Sequence, residues 1–561
     1  MHSLGHRALN PRWLLYILPL AFLAVFFFYP LLSIFALSFA PQGTLDLSAL
    51  HKLISTSYYA RTLWFTVWQA AVSTALTVIL ALPGAYTFAR YEFRGKGLLR
   101  ALTTVPFVLP TTVVATAFTS LLGPRGRINL WLMALLSLEK APIDLRHTIW
   151  IILFAHVFYN YAVVLRIVGG FWANQNPRLE EAARMLGGDR WRIFRHITLP
   201  LLMPAISAAA LLVFIFCFTS FGVVLILGGP RFATLEVEIY RQTVNLFNLP
   251  LAATLSLAQI ICTFGMMSVY TRLQARTAVP LEFRPRRVTQ RRPVTRRDRL
   301  LVVLNVAFML VLLFTPLLAL AERSLSLGVT GYTVTYYREL FYNRRGSVFF
   351  VPPVEAVRNS VGFAALTVLL ALVLGTIGAY LLARREGRLS RWLDPLFMLP
   401  LGVSAVTLGF GYIIALDEPP LNLRTSPLLI PLAHTLVAFP FVVRSLLPVV
   451  RGIHPHLREA AANLGASPSR VWREIDLPIV ARALLVGAVF AFTVSIGEFG
   501  ATALIARPQY PTMPIAIYRF LGQPGTLNYG QALAMSTLLM IVCAVGFLAI
   551  ERFRYGEVGE F

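Results

Sequence analysis

The sequence predicts an all-α integral membrane protein of about twelve transmembrane helices, arranged as two parallel six-helix repeats. Three observations carry that expectation. Hydrophobic residues fill 57% of the 561 positions and charged residues only 13%, a balance for which a water-soluble domain has no use. Apolar runs of roughly 20 residues, long enough to cross the hydrocarbon core as helices, recur about twelve times. The chain also repeats itself: Glu181-Ala182-Ala183-Arg184-Met185-Leu186-Gly187 returns 278 positions later as Glu459-Ala460-Ala461-Ala462-Asn463-Leu464-Gly465.

The register holds without a gap. Ile197, Leu199 and Pro200 fall on Ile475, Leu477 and Pro478, and Phe221-Gly222 falls on Phe499-Gly500. Pro230, Thr234 and Tyr240-Arg241 fall on Pro508, Thr512 and Tyr518-Arg519, while His156 and Arg166 fall on His434 and Arg444. The expected division is a first transmembrane repeat at 1–275, a basic linker at 276–298 and a second transmembrane repeat at 299–561. Predicted spans of the first repeat are 14–38, 62–89, 101–122, 147–171, 199–227 and 251–271; those of the second are 300–321, 359–383, 393–415, 427–449, 479–506 and 531–551. Six spans per repeat is an even number, so both halves enter the bilayer in one orientation and are expected to pack about a pseudo-two-fold along the membrane normal.

The net charge of +25 would suggest nucleic acid in a soluble protein; here its placement gives orientation. Arginines crowd alternate loops: Arg90, Arg94 and Arg100, then Arg178 to Arg195, Arg272 to Arg299, Arg384 to Arg391, Arg451 to Arg473, and Arg552 with Arg554. The positive-inside rule makes these loops and both termini cytoplasmic. Arg125, Arg127, Arg344 and Arg345 are exceptions on the other side. The linker, with Pro280, Pro285 and Pro293 among its arginines, reads as a topological anchor and tether at the cytoplasmic surface in preference to a specific lipid or nucleic-acid site. The first span reads as a retained helix, because Pro41 directly follows the cleavage-like Ser38-Phe39-Ala40. Cys217, Cys262 and Cys543 all lie inside predicted spans, so no disulfide framework, metal cluster or cofactor is expected.

Both copies of the repeated loop share one grammar. Asn176 caps a helix with Pro177 at its first position, which stops at Gly187 or Gly188; Asp189 caps a second short helix, and Pro200 opens the next span. The second copy uses Pro455, Gly465, Ser467-Pro468 and Pro478. A single such loop reads as an ordinary amphipathic connector. Two at identical spacing read as a pair of sockets for a symmetric partner. No nucleotide site is expected in the chain itself, since Gly95-Lys96-Gly97 lacks the phosphate-loop spacing.

The spacing Glu-Ala-Ala, three residues, Gly, nine residues, Ile, one residue, Leu-Pro resembles the signature of membrane subunits of ATP-binding cassette importers, and both copies match it. The resemblance implies the type I importer permease fold over nearly the whole chain, in a bacterial inner membrane. It implies two separate ATPase subunits that hydrolyse ATP, docked on loops in which Glu181 and Glu459 face the ATPase, Ala182, Ala183, Ala460 and Ala461 allow close packing, and Gly187 and Gly465 make the turn. It also implies an external substrate-binding protein, and a transport subunit with no catalytic residues of its own. Phe218-Thr219-Ser220-Phe221-Gly222 and Ile496-Gly497-Glu498-Phe499-Gly500 look like the thiamine and ferric-iron branch of these importers, and Leu227-Gly228-Gly229-Pro230 looks closer to its thiamine members.

Glu498, with Ser220 as counterpart, is an acidic residue expected deep in the bilayer. It reads either as a hydrogen-bonded structural residue or as part of the translocation path, with Ser220, Phe221, Phe499 and Asn160 as the other path candidates and Tyr159, Tyr161 and Ser495 beside them. His156 and His434 read as structural, and Arg166 and Arg444 as snorkelling to the interface. The segments Pro230 to Arg241 and Pro508 to Arg519 are candidates for contact with the binding protein, through Tyr240, Arg241, Tyr518 and Arg519. The rival reading is an ion-coupled secondary transporter of the major facilitator type. Its expected Gly-Asp-Arg signature fits Tyr91-Glu92-Phe93-Arg94-Gly95-Lys96 poorly. A membrane enzyme would need clustered catalytic acids or histidines at one face, and the sequence offers none.

Overall fold

A computed structural model of the chain describes residues 12–277, 290–326, 331–343, 351–384, 388–419 and 421–555. Most of the linker, 278–289, lies outside the described residues. Among the described residues ten single helices are long and apolar enough to span a bilayer: Ile17–Phe39, Ser57–Arg90, Ile149–Asn174, Arg190–Phe218, Leu249–Leu273, Arg296–Ser324, Val354–Ala383, Leu429–Gly452, Pro468–Gly497 and Thr526–Ala549. Two bent pairs raise the number to twelve. Lys96–Val108 meets Thr111–Leu136 at 102°, and Leu393–Gly402 meets Ala405–Ala415 at 96°.

The bends correct the expected straight spans at 101–122 and 393–415. Proline chemistry explains the first: Pro110 forces Leu109 into extended backbone (ψ 141°), so the helix stops and restarts. At the second, Pro400 lies in a 3₁₀ turn, and the Ser404 hydroxyl accepts the Thr407 N–H at 3.2 Å to start the new helix. The fifth and eleventh spans also begin and stop earlier than expected, ending at Phe218 and Gly497, within one residue of matching points of the repeat. Each is entered through a π-helical turn at an equivalent place, Phe194–Thr198 and Trp472–Asp476, just ahead of Pro200 and Pro478.

Two compact units emerge from the packing, and their limits differ from those of the sequence repeats. One contains 1–46, 342–515 and 545–561; the other contains 47–341 and 516–544. In the first unit Val354–Arg384, Leu429–Gly452 and Leu477–Gly497 pack together, and Ile17–Phe39 lies along Ala405–Ala415. That last approach needs Gly411, where a Cβ would come within 2.9 Å of Pro30. In the second unit Ser57–Arg90, Ile149–Asn174 and Leu199–Phe218 form the core, and Arg296–Ser324 packs on Thr111–Leu122. Each repeat therefore lends its first span to the other repeat's bent third span. Periodicity marks which face of a helix is apolar, not which neighbour will cover it, so the exchange has no local signature.

Candidate functional site

In the first of the two repeated loops, Asn176 Oδ1 accepts the Arg178 N–H at 3.1 Å and Pro177 opens the helix Pro177–Met185. Gly187, at φ +79°, ends it. The Gly187 N–H reaches the Arg184 carbonyl and the Gly188 N–H the Ala183 carbonyl, both at 3.0 Å, which is the paired closure of a Schellman turn. Asp189 Oδ1 then accepts the Arg192 N–H at 2.7 Å. The second loop repeats the turn: Gly465 sits at φ +80°, its N–H bonds the Ala462 carbonyl at 2.9 Å, and the Ala466 N–H bonds the Ala461 carbonyl at 3.0 Å. Ser467 Oγ accepts the Arg470 N–H at 3.4 Å to start the next helix.

The two loops also present the same face. Glu181, Ala182 and Gly187 are exposed and Ala183 is half-buried, as are Glu459, Ala460, Gly465 and Ala461 in turn. Leu186 is 89% exposed and its counterpart Leu464 is 88% exposed, with Leu179 and Leu457 beside them at 48% and 49%. An apolar side chain thus stands bare at the same corner of both loops. Sequence reading passed over these leucines, although the repeat register that pairs the glutamates pairs them as well.

The inner faces hold each loop helix to the start of the following span. Glu180 Oε1 accepts from Arg90 Nη2 at 2.7 Å and from the Thr198 hydroxyl at 3.2 Å. At the equivalent positions the polarity is reversed: Arg458 Nε donates to Asp476 Oδ1 at 2.8 Å, with Asp476 buried. One clasp is built with opposite charges in the two repeats.

Within the membrane, the breaks after Phe218 and Gly497 are both tied to the repeat's histidines. His156 is buried, with Nδ1 2.9 Å from Ser73 Oγ and Nε2 2.8 Å from Ser220 Oγ; the Asn160 amide donates to the His156 carbonyl at 2.9 Å. His434 places Nδ1 2.8 Å from Ser495 Oγ and Nε2 2.9 Å from Thr502 Oγ1 and 3.3 Å from Glu498 Oε2. Glu498 is buried and accepts the Ala501 N–H at 2.8 Å and the Thr502 N–H at 3.0 Å, besides the Thr502 hydroxyl. It caps the short helix Thr502–Ile505 that resumes after the break. Phe499 and Phe221 are buried too. Tyr159 donates to the Leu109 carbonyl at the bend of the third span, at 3.0 Å, and Tyr161 packs against Gly84.

Phe221 reaches further, to Tyr240, with ring centroids 5.4 Å apart. Tyr240 in turn shares a hydrogen bond with Tyr518, its own counterpart in the repeat. Both tyrosines, with Arg241 and Arg519, are half-buried, and Arg241 Nη2 donates to the Gly229 carbonyl at 3.2 Å. The segments that carry them are helices, Leu235–Tyr240 and Met513–Leu521, with Leu235 to Ile239 and Met513 to Ile517 buried. Among the described residues no group of three or more His, Cys, Asp or Glu side chains is placed to hold a metal ion.

The family described as "Binding-protein-dependent transport system inner membrane component" matches the chain twice, at residues 73–279 and 371–554. The chain belongs to this family. As a permease subunit of an ATP-binding cassette importer it is a multi-pass inner-membrane protein, and its relatives are transport subunits rather than enzymes. It is 25% identical over 551 residues, 95% of each chain, to a probable ABC transporter permease protein of Sinorhizobium fredii. It is 27% identical over 503 residues, 88% of this chain and 89% of the other, to the thiamine transport system permease protein of Escherichia coli. The corresponding Brucella abortus protein is 29% identical over 507 residues, 88% of each chain. Both loops and both histidine clusters of the permease lie inside the matched segments; the exchanged helices Ile17–Phe39 and Arg296–Ser324 fall outside or between them.

Proposed function

We propose that this permease carries thiamine, handed to it by an external binding protein, and that two ATPase subunits drive it by docking on Pro177–Met185 and Pro455–Asn463. The observation that carries the docking is the pair of identical turns with a bare leucine at the corner of each. Thiamine is preferred to ferric iron because several relatives across most of the chain are thiamine permeases. The termini and the arginine-rich loops face the cytoplasm in this reading. ATP binding draws the loops together and opens the path outward; hydrolysis by the partner subunits reverses it.

Ser220, Phe221, Asn160, Glu498 and Phe499 border the path at the two span breaks, with Glu498 acting through His434 to hold the second break in shape. Tyr240 and Tyr518 form the outer closure of the path, and Arg241 and Arg519 flank it where the binding protein settles. Two copies of one element that touch each other must lie on the pseudo-two-fold, which is where a central path closes. In a background lacking Cys217, Cys262 and Cys543, bridging the Tyr240→Cys/Tyr518→Cys pair with a cleavable bifunctional thiol reagent will cut uptake at least tenfold, and cleaving the bridge will restore it. Uptake that is indifferent to the cross-link would show that the tyrosines do not part during transport.

The central test is uptake of labelled thiamine into liposomes holding the permease with its ATPase and binding protein. Uptake is expected only with internal ATP and external binding protein. Uptake driven by an ion gradient in ATP-free vesicles would overturn the reading in favour of a secondary transporter.

A further inference from the structure

Behind the first loop helix lies a cavity of about 670 Å³, within the range that holds a small organic molecule. Part of its wall is aromatic. The Tyr86 ring lies 5.2 Å from that of Trp172 and 5.9 Å from that of Tyr91, and the Arg291 guanidinium sits over Tyr91 at 5.3 Å. Three carboxylates line it and each is engaged: Glu180 by Arg90, Asp298 by the Tyr91 hydroxyl at 2.7 Å and by Arg291 at 3.3 Å, and Asp189 by the Arg192 N–H at 2.7 Å. Burial first, then Asp298, push the Tyr91 phenol up to about 12, so it remains a donor at any physiological pH. Two guanidiniums are left over. Arg190 and Arg297 line the same cavity and are exposed, and their guanidiniums make no ion pair or hydrogen bond among the described residues.

The half-exposed Tyr86 ring beside two unspent guanidiniums matches one ligand chemistry, a ring to stack and a phosphate to accept charge-assisted hydrogen bonds. We propose that this cavity binds a phosphorylated heteroaromatic compound from the cytoplasm and that its occupancy restrains the first coupling helix. Glu180, Arg184 and Gly188 of the loop form one side and Tyr86 and Trp172, at the ends of two membrane helices, form another, so a bound molecule ties the loop to the helix ends. Arg291, from the linker, and Arg297, from the start of Arg296–Ser324, line the cavity together with the first loop. The cytoplasmic placement, and thiamine diphosphate as the product-like probe, rest on the function proposed above; AMP as a probe is independent of the cargo.

The test is calorimetric titration of the isolated full-length permease in phosphatidylcholine nanodiscs with thiamine diphosphate, AMP, thiamine and inorganic pyrophosphate. Thiamine diphosphate and AMP are expected to bind at least tenfold more tightly than thiamine or pyrophosphate. The Arg190→Gln/Arg297→Gln variant, whose two sites are exposed, should lose at least tenfold in affinity with an unchanged melting temperature. In the assembled transporter, the tighter-binding probe inside the vesicles should lower uptake at least twofold. AMP binding without thiamine diphosphate binding would keep the cavity and count against the cargo. Three results would overturn the site: no binding of either ring phosphate, equal binding of pyrophosphate, or binding that survives the double variant. Displacement of the probes by phosphatidylglycerol nanodiscs, with no effect of either probe on uptake, would assign the arginines to lipid headgroups and overturn it as well.

Discussion

Alanine at both Gly187 and Gly465 will reduce ATP-driven uptake at least tenfold while leaving the permease in the membrane. Both residues lie near φ +80°, a region in which a Cβ costs roughly 1–2 kcal/mol per residue. A Cβ added at either position would meet no neighbouring atom within 4 Å, so backbone conformation alone would be altered. A penalty of that size shifts the population of the turn by roughly 5- to 30-fold in each loop. Each helix would then run on past its stop and carry Leu186 or Leu464 away from the docking corner. Asparagine tolerates the left-handed region, so the Gly187→Asn/Gly465→Asn pair should recover most of the uptake. Alanine variants that transport within twofold of the parent would mean that the turns do not set the coupling geometry.

Glu498→Ala is expected to be the most damaging single substitution in the membrane interior. It removes the acceptor for the Ala501 and Thr502 N–H groups and the partner of His434, all of them buried. Leaving buried donors without an acceptor costs about 1–3 kcal/mol each, which should appear as a drop of several degrees in melting temperature. Glu498→Gln keeps one acceptor oxygen and should fall between the two. The kinetic split separates structural from cargo contact: a rise in KM for thiamine with an unchanged melting temperature would make Glu498 a cargo ligand instead of the cap of Thr502–Ile505.

What could be read from the chain and what could not divides along the range of the interactions involved. The two loops were legible down to the turn glycine, because Pro177, Gly187, Asp189 and their counterparts act on backbone within a few residues. Hydropathy located the third and ninth spans but could not bend them, since Pro106, Pro110, Pro395 and Pro400 lower apolar character hardly at all while withdrawing the donors a straight helix needs. The register paired Tyr240 with Tyr518 without revealing that they touch. It paired Glu180 with Arg458 in the same way, yet opposite charges at equivalent positions hide a shared role, and only the partners Thr198 and Asp476 disclose it. For Glu498 the sequence left open both a structural and a path role; its hydrogen bonds account for the first, and transport kinetics must decide the second.

The exchange of first spans sets an order on biosynthesis. When the ribosome has made residues 1–275, the helix Ile17–Phe39 is in the bilayer but its seat, Ala405–Ala415, is still more than a hundred residues from being synthesised. The helix must wait there with its packing face on lipid, and Thr111–Leu122 waits likewise for Arg296–Ser324. A chain cut at the linker would therefore yield two fragments that each lack a wall and hold a spare one. Neither is a finished half, and only their re-association would complete both, which gives a physical reason for the two repeats to travel as one polypeptide.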